Sequence, residues 1–191
     1  MQLRLFNKNN IFNTTTPTKY IVDKKLIRGD REANPFTLYQ LKKNGVNQII
    51  DLRCLSVEKK QAPHQILERL MCKALGIKYL NIKYNHKITN IPEMDFFENI
   101  NNLIVNNPQK TYIHCRHGKR RTGICVAIYE KFHTSKSSKE IIDELYNIGF
   151  SELQNNKKIP EFIRIRLSNI YKNFIEKFYP NETTPLAKVH T

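Results

Sequence analysis

Cys115, Gly118, Arg121 and Thr122 lie within twelve residues, YIHCRHGKRRTG at 112–123, between two apolar runs. The run before them, KTYIHC (110–115), has the β-branched and aromatic character of a buried strand, and GICVAIYEKF after Arg121 that of a buried helix. A chain that leaves a strand, crosses a glycine-bearing loop and opens a helix turns its loop amides and the positive end of that helix toward one point. That point is an anion site, and a tetrahedral dianion fits it. Gly118 permits a backbone conformation that a side chain resists. Six positions after the cysteine, Arg121 can curl back so that its planar fork grips two oxygens of the anion, which lysine cannot do. The same field favours a thiolate, so Cys115 should fall below the free-thiol value of about 8.5 and act as a nucleophile at neutral pH. Thr122 can donate its hydroxyl to the sulfur and ease its departure. His114 is placed as a residue that orders the loop by hydrogen bonding rather than as a base.

The basic residues around this turn extend the argument from reaction to substrate. Arg116, His117, Lys119 and Arg120 make a cationic rim and, with Gly118, are the candidate substrate-binding positions. Such a rim favours a substrate carrying more than one phosphate. The chemistry needs no cofactor, and the spacing of the cysteines carries no zinc signature, so no metal is expected.

His114, Cys115, Arg121 and Thr122 match HC, five residues, then Arg-Thr, and on these residues the chain resembles the protein tyrosine and dual-specificity phosphatase superfamily. The resemblance extends upstream through LIRGDREANP (26–35) and GVNQIIDLR (45–53), and downstream through KEIIDELYNIGF (139–150), so that it covers roughly 20–178. HCRHGKRRTG is most similar to the loops of compact atypical dual-specificity phosphatases of plants and fungi and of related bacterial enzymes. Arg116 and Lys119 also resemble phosphoinositide phosphatases, and His117 before Gly118 resembles RNA 5′-triphosphatases of the same fold. The resemblance implies a cysteinyl-phosphate intermediate. It ranks phosphotyrosine and phosphoserine/threonine proteins first as substrates, then inositol phosphates or phosphoinositides, then RNA 5′-phosphates.

Members of that superfamily take a general acid from an aspartate on a loop before the catalytic turn. Here that stretch reads NIKYNHKITNIPEMD (81–95) and holds no aspartate after Ile82 until Asp95. Asp95 follows Pro92 and reads as a charge complementing a helix N-terminus. His86 is the other candidate donor. A relocated acid, reliance on good leaving groups such as anhydride phosphates, and a binding protein without turnover are the readings left open. The intact Cys115, Arg121 and Thr122 count against the last, since a pure binder has no use for the thiol.

The elements that must position this turn alternate strand-like with helix-like runs. Strands are predicted within 19–28, over 46–52, 77–82 and 110–115. Helices are predicted over 36–44 entered at Asn34-Pro35 and ended by Gly45, over 63–75 closed by Gly76, from Pro92 to about 105, and from Arg121. A further helix capped by Ser137 and Ser138 runs through Leu145 and stops near Gly149, and a last one spans 160–178. The pattern is that of an α/β domain with a central, mostly parallel sheet flanked by helices, and the resemblance implies the compact dual-specificity phosphatase type. It is expected over 19–178, with a mobile lead-in over 1–18 and a flexible tail over 179–191. Asp51 and Arg53 read as structural residues that close the strand and pair with neighbours near the site. Cys54, Cys72 and Cys125 read as buried free thiols, with a reversible Cys54–Cys115 disulfide as the reactive alternative.

Bulk properties agree with one globular domain. Of 191 residues, 40% are hydrophobic and spread along the chain, with neither a bilayer-length apolar run nor a secretory signal, so a cytoplasmic monomer is expected. Lys and Arg total 32 against 17 acids, a net charge of +15, which attracts phosphorylated proteins, polyphosphates or nucleic acid. The aromatic residues form no RNA-binding motif, which places nucleic acid last.

Overall fold

The computed structural model describes residues 20–31, 34–53, 63–84 and 94–150. They fall in two compact units, one of the described residues up to 122 and one of residues 123–150. The predicted lead-in, tail and 160–178 helix lie outside the described residues.

The first unit is a five-stranded sheet with its helices. In chain order these are β1 (Tyr20–Ile21), β2 (Leu26–Gly29), α1 (Pro35–Lys43), β3 (Val46–Asp51), α2 (Pro63–Ala74), β4 (Lys78–Asn81), α3 (Met94–Val105), β5 (Lys110–His114) and the first turn of α4 (Arg120–His133). The strand order is β1-β2-β5-β3-β4, with β1 antiparallel to β2 and every other pairing parallel. This is the mostly parallel α/β architecture predicted from the alternation of runs. Strand β5 is central because its inner residues are buried on both faces, as parallel strands between two helical layers must be.

Alternation along the strands divides the two faces. Ile27, Ile49 and Tyr112 pack with Val46 and Ile77, with Leu38 and Leu41 of α1, and with Cys72 of α2 in one apolar core. On the opposite face Gln48 donates to the Leu103 carbonyl of α3 at 2.8 Å and to Thr111 Oγ1 at 3.0 Å. These bonds satisfy polar groups buried between sheet and helix.

Local signals set the helix ends. The Asn34 side chain accepts from the Phe36 amide at 2.9 Å and Pro35 occupies the first helical turn, one residue earlier than predicted. Gly45 (φ 88°) and Gly76 (φ 62°) take the left-handed conformation that ends α1 and α2. The strands predicted over 46–52, 77–82 and 110–115 are each shorter at their ends. Beyond the ladder, the Leu52 amide still donates to the His114 carbonyl at 2.9 Å.

In the second unit α4 continues from Gly123, followed by α5 (Ser138–Leu145) and a π-helical turn, Tyr146–Phe150, where a stop near Gly149 was predicted. Ser137 and Glu140 form a reciprocal capping box at the start of α5. Lys136 pairs with Glu130 and Glu144, each at 2.6 Å. Among the described residues no helix is long and apolar enough to cross a membrane.

Candidate active site

The turn after β5 is held in shape by the strand beside it. Gly118 has φ 65°, and a Cβ there would stand 2.7 Å from the Gly29 carbonyl oxygen and 2.8 Å from its carbon. Glycine is thus required twice over, for its conformation and for its contact with β2. A Cβ on Gly29 would in turn overlap the Tyr112 hydroxyl, which donates to the Asp30 carbonyl at 2.8 Å. Arg28 completes the clamp. Its side chain is 1% exposed, and Nη2 donates to the Gly118 carbonyl at 2.6 Å. Its guanidinium also lies over the Tyr20 ring, 5.2 Å from the centroid. Sequence reasoning marked LIRG as part of a resemblance but gave Arg28 no role, because its partner is ninety residues away.

Cys115 is buried directly past the end of β5, with α4 opening at Arg120, one residue before the predicted start. Burial pushes its thiol up. The Thr122 hydroxyl and amide, the Arg121 charge and the His117 amide outweigh that and bring the thiol below its ordinary value. The Thr122 hydroxyl is buried and has no partner besides the sulfur it faces. Arg121 donates through Nη1 to the Leu52 carbonyl at 3.0 Å. That anchor leaves the Nε and Nη2 edge, two parallel donors, for an oxyanion. The structure therefore brings Cys115, Gly118, Arg121 and Thr122 together around one turn.

Beneath the turn lies a buried charged network. Arg53 donates through Nε to Asp51 Oδ1 and through Nη2 to Asp51 Oδ2, both at 2.7 Å, and Nη2 also reaches Glu68 of α2. Gln65 and the Tyr79 hydroxyl donate to Asp51 as well. Burial raises Asp51, but its bond to Arg53, the charges of His114 and Arg53 and the Tyr79 bond bring it down to about 2. Asp51 and Arg53, expected to be structural and to pair with neighbours, are bonded to each other. Glu68 is the member it missed, since an acid in an amphipathic helix ordinarily faces water.

His114 Nε2 lies 3.1 Å from Glu68 Oε1, and Nδ1 lies 3.3 Å from the Cys115 carbonyl oxygen. Asp51, Glu68 and His114 are the one trio of metal-type donors among the described residues. Arg53 and His114 already neutralise its carboxylates, so the donor set is that of an internal ion-pair network rather than of a metal centre.

Of the predicted rim, Arg116, His117 and Arg120 are exposed, Lys119 is half-buried and Gly118 is buried. His117 is lowered by burial and by the charges of Arg116, Lys119, Arg31 and Arg120, which adds Arg31 to the cationic set. Asp95 is exposed in the first turn of α3, where it complements the helix N-terminus. His86 and Cys54 lie outside the described residues. Cys72 is buried and its thiol is pushed up to about 12 by burial, Glu68 and Asp51, so it is an inert core thiol.

Solved structures share this fold. The core catalytic domain of the PP-IP phosphatase SIW14 from S. cerevisiae, in complex with citrate, matches with a TM-score of 0.62 at 22% identity, over 86% of this chain and 87% of that one. A Cys-to-Ser form of P. aeruginosa TpbA in complex with pTyr matches with a TM-score of 0.60 at 13% identity, over 85% of this chain and 91% of that one. A sequence comparison with curated proteins gives no match. The family described as DSP-PTPase phosphatase fused to NAD+ kinase matches residues 22–161, well over half of the chain. The chain belongs to that family, and it is a phosphatase of the protein tyrosine and dual-specificity type.

Proposed function

We propose that the chain removes phosphate through a covalent cysteinyl-phosphate, with Cys115 as nucleophile, Arg121 as phosphate clamp and Thr122 as the donor that eases the sulfur's departure. The observation that carries this reading is the buried thiol held below its ordinary value between Thr122, Arg121 and a loop amide at a helix N-terminus. In the first step Sγ attacks phosphorus, the bond from phosphorus to the leaving oxygen breaks, and that oxygen takes up a proton. In the second, water attacks phosphorus, the S–P bond breaks and inorganic phosphate leaves while Thr122 donates to the sulfur. Both steps pass through a trigonal-bipyramidal phosphoryl group, on which the Nε and Nη2 edge of Arg121 holds two oxygens. Arg28 and Gly29 keep the loop closed around it.

The substrate this rim fits best is a polyanion with more than one phosphate. Arg31, Arg116, Lys119 and Arg120 all act on His117 through their charges, and the mutual repulsion of this cationic set is relieved by extra anionic charge. The PP-IP phosphatase SIW14 has the same fold. The leaving oxygen of a pyrophosphate needs less protonation than that of an alkyl ester, which suits a chain with no aspartate between Ile82 and Asp95. A phosphotyrosine protein is the second reading, favoured by the pTyr complex of TpbA. We place the enzyme in the cytoplasm, where a reactive thiol stays reduced.

The test is metal-free hydrolysis of an aryl phosphate by wild type and Cys115→Ser, followed by inositol polyphosphates, inositol pyrophosphates and a phosphotyrosine peptide. Turnover lost in the variant and a higher kcat/KM on the polyphosphates are expected. A preference for the peptide overturns the substrate reading.

A further inference from the structure

The carboxylate of Glu68 is 0% exposed on the inward face of a helix whose outward face carries Ile66, Leu67 and Leu70. An acid so placed needs charged partners. It has two, Arg53 and His114. Arg53 has its charge met by both oxygens of Asp51 and reaches Glu68 through the same Nη2. The second positive partner of Glu68 is His114, whose ring lies between that carboxylate and the carbonyl of the nucleophile's own residue.

We propose that Glu68 is a positioning residue for the nucleophile: paired with the His114 ring, it commits both ring N–H groups, one to its own carboxylate and the other to the Cys115 carbonyl, and so fixes the first peptide of the phosphate-binding loop. The inference rests on Cys115 being the reacting group. A Glu68 oxygen stands 3.1 Å from Nε2 and the Cys115 carbonyl oxygen 3.3 Å from Nδ1, and only an imidazolium can offer a proton to both, since a neutral ring has a single N–H. Tyr112 stacks on the ring at 5.5 Å between centroids and holds its plane. Burial lowers His114, Glu68 and Asp51 raise it, Arg53 lowers it, and the balance lies above its ordinary value.

The pair is neutral in sum but has its positive end toward Cys115, where it adds to Arg121, Thr122 and the loop amides in favouring thiolate. The sign is diagnostic. A carboxylate acting directly on a thiol raises it, as Glu68 does to Cys72. Acting through His114, it lowers it. Glu68→Gln lets the ring go neutral and should raise the Cys115 thiol by about one pKa unit, hence about tenfold less thiolate at a fixed pH below it.

The experiment is the pH dependence of iodoacetamide alkylation at Cys115, read by mass spectrometry of its peptide in wild type, Glu68→Gln, His114→Asn and the double variant. It reads the thiolate without turnover. Failure of the cysteinyl mechanism would instead show as activity surviving in Cys115→Ser. We expect an upward shift in Glu68→Gln, and no further shift from Glu68→Gln once His114 is Asn. An unchanged or lowered thiol in Glu68→Gln overturns the proposal, as does an undiminished effect in the His114→Asn background. Should the variants fail to fold, ring nitrogen NMR of the wild-type protein decides: two protonated nitrogens on His114 at pH 7.5 are expected, and a single neutral tautomer overturns the assignment.

Discussion

Replacing Gly118 by alanine should damage both the fold and the site, and the structure sets how much. The residue has φ 65°, where an L side chain costs about 1–2 kcal/mol. The new Cβ would stand 2.7 Å from the Gly29 oxygen, 2.8 Å from its carbon and 3.0 Å from the Asp30 nitrogen, all main-chain atoms that cannot rotate away. Forcing β2 and the loop apart is an overpacking of about 1–3 kcal/mol. Together these give a loss of about 2–5 kcal/mol. Gly45 is the control. It has φ 88° and nothing within 4 Å of a built Cβ, so Gly45→Ala carries the conformational cost without the collision. Part of that cost is offset by the stiffer unfolded chain. Urea denaturation should show Gly45→Ala within about 1.5 kcal/mol of wild type and Gly118→Ala well beyond it. Hydrolysis of an aryl phosphate should be unchanged in Gly45→Ala and fall about a hundredfold in Gly118→Ala, because the loop amides are displaced from the phosphate. Equal stability and equal activity of the two variants would refute the argument that contact with Gly29 shapes the loop.

Arg28→Met keeps an apolar stem but removes the donor to the Gly118 carbonyl, and should cost about 2–3 kcal/mol by urea denaturation together with a fall in kcat/KM. Stability should also depend on pH at two places. Asp51 is lowered to about 2 from 3.8, so the stability it contributes, about 2 kcal/mol, is present above pH 4 and lost as pH falls through about 2. His114 is raised, so its contribution is full below the unfolded value of 6.5 and is lost as pH rises through the folded value. Denaturation midpoints should therefore be highest near pH 5–6, and a midpoint that climbs steadily from pH 6 to 9 would contradict the His114 assignment.

The candidate active-site turn was legible because its parts are local. Strand, cysteine, glycine, arginine and helix follow one another within a dozen residues, so spacing alone brings Cys115, Arg121 and Thr122 around one turn. The strands were legible for a similar reason: VNQIID and KTYIH are short β-branched runs that only a buried parallel sheet accommodates. Less legible were the residues whose partners are remote in the chain. Arg28 sits in a strand of otherwise small or apolar residues, and nothing nearby announces that it reaches the Gly118 carbonyl. In α2 the usual rule runs backwards, with Gln65, Glu68 and Cys72 buried and Ile66, Leu67 and Leu70 exposed. Periodicity identifies such a helix but cannot tell which stripe faces inward when a charged network takes the place of apolar packing. Arg31 joined the cationic rim by the same kind of long-range placement.

The most direct test of the central claim is to trap the phosphoenzyme. Wild-type protein mixed with an aryl phosphate and quenched within the first turnovers should carry one phosphoryl group on Cys115 by mass spectrometry, and Cys115→Ser should neither carry it nor turn over. Full activity with no adduct at Cys115, or activity retained by Cys115→Ser, would contradict the account.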